Sequence, residues 1–220
     1  MTTPFAPLPL HVSDLRVDAL GRTLLAVDRL AVEPGEAVAV TGPSGAGKST
    51  LLHALAGLNG ATGRIAWGET SLLALAPAAR TRFRGRHMGL VFQDHLLFEE
   101  LDARANAAIV GAFRADPAIA RRADDLLERL AVPRGRRDAR TFSGGERGRI
   151  AVARALAHDP AVVLADEPTA SLDRLHADRL TADLVALTAR AGRTLVVVTH
   201  DERLRAACDR TVALADGRLA

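Results

Sequence analysis

Four short apolar runs in this chain stop abruptly at residues that carry chemistry. Ala37–Val40 runs into a glycine-rich stretch, and Met88–Phe92 ends at Gln93. Ala161–Ala165 ends at Asp166 and Glu167, and Thr194–Thr199 ends at His200. Helical patterns separate the runs, and that alternation is the signature of a mostly parallel sheet. In an open α/β sheet, ligands bind outside the carboxyl ends of the strands. The pattern therefore predicts that a glycine loop, an amide, two carboxylates and an imidazole meet on one edge. Residues from about Leu10 to Glu36 read as short strands with turns at Gly21 and Pro34-Gly35. A mainly helical block from about His95 to Asp159 interrupts the strand rhythm. The expected fold is α/β: a mostly parallel sheet, a small N-terminal antiparallel β region and an inserted helical lobe. One domain is expected over 10–220, with the helical subdomain at about 95–159 and a disordered tail at 1–9.

Composition narrows the classes. The 220 residues suffice for one sizeable core, and no apolar run approaches the roughly 18 residues that cross a bilayer. The N-terminus lacks the basic-then-apolar layout of a signal peptide. One cysteine, Cys208, excludes an internal disulfide and fits a reducing compartment. Net charge is only +3, and the two basic stretches, Arg80–Arg86 and Arg134–Arg140, carry little aromatic interleaving. They read as solvated surface, and no nucleic-acid partner is expected.

The glycine-rich stretch is the most specific feature. Gly42, Pro43, Ser44, Gly45, Ala46, Gly47, Lys48 and Ser49, with Thr50 after them, follow a strand and open a helix, the pattern of a phosphate loop. Its glycines let successive N–H groups turn into a concavity sized for phosphate, and the helix N-terminus adds unpaired N–H groups and a positive dipole end. Lys48 is the only lysine in the chain. A compact ammonium fits such a cradle where a planar guanidinium does not. Lys48 would reach the β and γ phosphates and the Ser49 hydroxyl would ligate Mg²⁺. Asp166 at its strand end could hold Mg²⁺ through water, and Glu167 could polarise a water for attack on the γ phosphate. A second small-residue turn, Ser143-Gly144-Gly145-Glu146, precedes another helix.

Taken in order, the glycine loop, Gln93, the SGGE turn, the stretch LADEPTASLD and the THD at His200 resemble the ATP-binding cassette (ABC) ATPase family over almost the whole chain. The resemblance implies a P-loop NTPase core. It makes Gly42–Thr50 the Walker A loop, Gln93 a lid-loop residue on Mg²⁺, and Ser143–Glu146 the signature motif, with Glu146 replacing the commoner glutamine. It makes Asp166 and Glu167 the Walker B pair, Asp173 the end of the interdomain loop, and His200 the switch histidine on the γ phosphate. It implies ATP and Mg²⁺ as ligands and a second copy of the chain or a homologous cassette as partner. Integral membrane permease subunits would complete the complex, at the cytoplasmic face of the cell membrane. Within the family the chain looks most like the lipoprotein-releasing and macrolide-exporter branch, although Phe98-Glu99-Glu100 stands where a proline-containing turn is common. It also resembles the ABC-type subunit of carbon–phosphorus lyase systems, which works without a permease. One departure concerns the base. Val17–Leu25 has no aromatic residue to stack on adenine, so aliphatic side chains such as Leu20 would take its place and discrimination of ATP from GTP would weaken.

Overall fold

The computed structural model describes residues 6–114, 116–133, 135, 138–170 and 172–220. Ten strands and seven α-helices follow one another among these residues. The N-terminal hairpin β1 (Leu10–Ala19) and β2 (Arg22–Val32) turns through Leu20 and Gly21. With β4 (Thr62–Trp67) and β5 (Thr70–Ser71) it forms an antiparallel sheet of order β2-β1-β4-β5.

The second sheet holds the four runs that stop at polar residues. They are β3 (Ala37–Thr41), β6 (Met88–Val91), β7 (Val162–Asp166) and β8 (Thr194–Val198). With β9 (Arg210–Ala215) and β10 (Arg218–Leu219) the order is β10-β9-β3-β8-β7-β6, and all neighbours are parallel except β10 on β9. Register levels the strand ends: Val40 and Asp166 both pair with Val198, and Ala165 pairs with Val91.

The central strands are buried on both faces, which is why they read as continuous apolar runs. Ala37, Ala39, Val163, Ala165, Leu195 and Val197 join one buried cluster; Val38, Val40, Val162, Leu164, Val196 and Val198 join the other. On the second face lie the antiparallel sheet and α1 (Lys48–Leu55). On the first lie α3 (Ala103–Ala107), α4 (Pro117–Arg129), α5 (Gly144–Leu156) and α6 (Arg174–Leu187). Ile119, Ala123 and Leu127 of α4 sit four residues apart, one face of a helix, and their cluster runs without a break into the sheet face. The helical block at 95–159 therefore shares its apolar core with the strands.

Two parts depart from expectation. Leu8 and Pro9, inside the expected tail, are held by hydrogen bonds: Thr194 Oγ1 donates to the Leu8 carbonyl at 2.8 Å and Gly68 N to the Pro9 carbonyl at 2.8 Å. Residues 1–5 of that tail lie outside the described residues. The stretch Arg80–Arg86, expected as solvated surface, belongs to α2 (Pro77–His87), and two of its arginines cap backbone. Arg80 donates to the carbonyls of Leu73 and Leu75, and Arg84 to that of Gly57, just past the C-terminus of α1. In the second basic stretch, Arg134, Arg136 and Arg137 lie outside the described residues, while Arg140 pairs with Glu99 and Glu100. The turn at Phe98, which lacks a proline as the sequence shows, is held by a side chain instead. Fully buried Asn106 holds it by accepting from Phe98 N at 2.8 Å and donating to the carbonyls of Phe98 and Leu101.

Candidate functional site

The carboxyl edge of the parallel sheet opens into a cleft of about 780 Å³. Its walls come from each predicted strand end: Ser44, Gly45, Gly47, Lys48, Ser49 and Thr50 after β3, Gln93 after β6, Asp166 and Glu167 at β7, and His200 after β8. Thr169, Leu172, Arg174 and Ala177 line it as well. Thr169 and Leu172 lie in the LADEPTASLD stretch, whereas nothing in the sequence pattern marked Arg174 or Ala177.

The glycine loop is braced by the backbone of β9 and of the turn after it. Gly42 has φ +147°, and a Cβ there would sit 2.0 Å from the Leu214 carbonyl oxygen of β9. Ala46 accepts a hydrogen bond at 3.1 Å from the N–H of Gly217, which tops the β9–β10 turn. Gly47 caps α1 in the left-handed region, φ +97°, leaving the first helical amides turned toward the cleft. Lys48, 8% exposed, donates to the carbonyls of Gly42 at 2.9 Å and Pro43 at 2.8 Å. Those bonds use two of its three N–H donors, and the side chain still lines the cleft.

Opposite stands the carboxylate pair. Asp166 is 5% exposed, and its Oδ1 is buried without a hydrogen-bond partner. A lone buried carboxylate oxygen is costly unless something cationic meets it. With the Ser49 hydroxyl lining the same cleft, this donor set suits a hard divalent cation, which takes oxygen ligands. Glu167 adopts φ +43°, a strained conformation for a residue with a side chain. Its N–H donates to the Val198 carbonyl at 2.9 Å, its Oε2 accepts from His200 N at 3.2 Å, and its Oε1 lies 3.3 Å from His200 Nε2. The carboxylate is thus turned into the cleft and oriented by the loop after β8.

The SGGE turn and Asp173 do not line the cleft. Ser143 caps α5: its Oγ accepts from Glu146 N at 3.3 Å, and the Glu146 carboxylate accepts from Ser143 N at 2.7 Å. This reciprocal box gives a physical use for glutamate at that position, since an anion is favoured at a helix N-terminus. Gly144 and Gly145 form the first turn. Asp173 caps α6, and Ser171 of the same loop lies outside the described residues. Leu20 is 97% exposed at the tip of the β1–β2 turn.

Known proteins resemble this chain over most of its length. The family described as ABC transporter matches residues 25–170. The lipoprotein-releasing system ATP-binding protein LolD 1 of Rhodopseudomonas palustris is 41% identical over 196 residues, 87% of each chain. The ABC transporter ATP-binding protein YbbA of Escherichia coli K12, itself uncharacterised, is 40% identical over 195 residues, 86% of this chain and 85% of its own. Among solved structures, a dimeric ATP-binding cassette in a post-hydrolysis state with ADP and Pi superimposes with a TM-score of 0.87. It is 29% identical and covers 96% of both chains.

Proposed function

The chain belongs to the ABC transporter family, as its ATP-binding, ATP-hydrolysing kind of subunit, and we propose that it drives a separate membrane-spanning permease. Among its described residues no helix is long and apolar enough to cross a membrane. The observation that carries the reading is the convergence of the glycine loop, Asp166, Glu167 and His200 on one cleft, while Ser143–Glu146 points elsewhere.

On this reading the loop amides and Lys48 hold the β and γ phosphates of ATP. Ser49 and Asp166 hold Mg²⁺, and Gln93 reaches it from the lid loop. When bound, Mg²⁺ offsets the phosphate charge and helps to orient the γ phosphate. Glu167 orients and polarises the attacking water, and His200 keeps Glu167 in place and contacts the γ phosphate. Ser143, Gly144, Gly145 and Glu146 cannot serve their own chain's cleft, so they complete the site of a second copy or a homologous cassette. Asp173 meets that partner too. A head-to-tail pair about a two-fold axis closes both sites at once.

Motion passes to the permease through the surface beside the lid glutamine, where Leu96 and Phe98 are more than half exposed. The protein then works at the cytoplasmic face of the cell membrane. The names of its relatives favour this permease-coupled reading over a permease-free enzyme assembly, and they make a lipoprotein-releasing system the first assembly to test. Purification of the tagged chain from solubilised membranes tests the reading. An integral membrane protein should come with it in stoichiometric amount, and the complex should hydrolyse ATP. A chain that hydrolyses ATP yet brings no membrane protein would favour the permease-free assembly.

A further inference from the structure

The first turn of α6 ties together two loops that the proposed partner must meet. Asp173 caps the helix with Oδ1, which accepts from His176 N at 3.1 Å. A helix cap needs no more than this, and the other carboxylate oxygen is ordinarily left to water. Here Oδ2 is taken as well, by His176 Nδ1 at 2.6 Å. These hydrogen bonds hold the Asp173 carboxyl below the usual carboxylate range. Both side chains are exposed, 65% for Asp173 and 40% for His176, so the pair serves no buried core.

The imidazole has a second neighbour. Its Cγ and Cδ2 lie 3.5 Å from where a Cβ on Gly145 would stand, and Arg149 Nη1 lies 3.3 Å from the same point. The ring therefore packs over the signature glycine while its nitrogen holds the interdomain aspartate. At the first position of α6, Arg174 pairs with Asp178 and lies 3.5 Å from Asp201, next to His200. The start of α6 is thus anchored to the loop after β8 too.

We propose that His176 is a positioning residue: it fixes the Asp173 carboxylate relative to Gly145, so that the two loops meet the partner protomer as one body. This rests on the reading that Asp173 and the SGGE turn act on a partner's site. Neither group touches the chain's own cleft, so loss of His176 leaves ATP binding by the single chain intact and impairs the step that needs two chains.

Two substitutions separate the bond from the ring. H176F keeps a flat ring over Gly145 and removes the donor; H176N keeps a donor near the position of Nδ1 and removes most of the ring. Wild type and variants are compared with Mg²⁺-ATP for nucleotide affinity, steady-state hydrolysis and melting temperature. For H176F the expected result is ATP affinity within about twofold of wild type and a kcat lower by about fivefold or more. H176N should recover at least about half of the wild-type rate. In a D173A background H176F should change the rate by less than about twofold, since the two residues act as one unit. Wild-type kcat in H176F would overturn the inference, as would an equal loss in H176N or a full further loss on D173A. So would a fall in melting temperature that tracks the loss of rate. A wild-type chain that hydrolyses no ATP would overturn the functional reading with it, whereas these variant outcomes in an active wild type overturn this inference alone.

Discussion

Two glycines of the same loop should respond very differently to the same methyl group. At Gly42, φ is +147° and an added Cβ would lie 2.0 Å from the Leu214 carbonyl oxygen, against 3.4 Å for ordinary contact. The loop or β9 would have to give by about 1.4 Å, the difference between those distances, and both are backbone. The positive φ alone costs about 1–2 kcal/mol for a residue with a side chain. The forced separation adds about 1–3 kcal/mol, the usual cost of overpacking, so G42A should lose about 2–5 kcal/mol. At Gly45, φ is +77° but nothing lies within 4 Å of the added atom. G45A should therefore pay only the conformational part, about 1–2 kcal/mol. For a domain of this size each kcal/mol moves the melting temperature by roughly 2–4 °C, so G42A should melt about 10 °C below wild type and G45A only a few degrees below. The assay is thermal melting followed by circular dichroism, with ATP binding measured well below the transition. G45A should still bind ATP, and G42A should not, because displacing Gly42 from Leu214 turns the loop amides away. Equal melting temperatures for the two variants would refute the claim that β9 braces the loop.

Lysine at position 48 should resist even a charge-preserving change. Its ammonium bonds two loop carbonyls within 3 Å, a space that a guanidinium overfills, so K48R should weaken ATP binding by about tenfold or more in an equilibrium binding assay. His158 should make stability depend on pH. Burial, with Arg114 nearby, pushes its imidazole from 6.5 down to about 4 while Nε2 hydrogen-bonds the Met88 carbonyl. Between those pH values the unfolded chain binds a proton that the folded chain refuses, so stability falls as pH drops from about 6.5 toward 4. Urea unfolding should show H158Q losing less over that range, by an order of 2–3 kcal/mol. Competition binding should find GTP within about tenfold of ATP, because no aromatic ring stands at Val17–Leu25 to reward adenine.

The sheet was legible because its central strands are buried on both faces. Continuous apolar runs survive in β3, β7 and β8, and the residues at or just beyond the ends of β7 and β8, Asp166 and His200, are polar because they line the cleft. The cleft was legible for the same reason, since Asp166 ends a strand and Lys48, Glu167 and His200 come soon after one. What escaped notice has weak local signals. Strand β9 lies toward the sheet's edge, paired on one side by only two residues of β10, and its short apolar stretch, Val212–Ala215, ends in a turn rather than at a residue that carries chemistry. Yet its Leu214 carbonyl sets the limit on Gly42. The arginines of α2 looked solvated because no sequence pattern reveals that their guanidinium groups reach back to the end of α1. The contact between His176 and Gly145 joins residues 31 apart in sequence on two different helices, and spacing alone does not disclose it.

The central claim is that each active site is built from two chains, and ATP-dependent association tests it most directly. E167Q should bind Mg²⁺-ATP without turning it over, so sedimentation should show it at twice its mass, 2 × 23.2 kDa, with ATP and at single mass with ADP. E167Q carrying S143R as well should bind ATP equally tightly and remain at single mass. Association of the double variant as strong as that of E167Q, or an E167Q chain that stays single when saturated with ATP, would contradict the account.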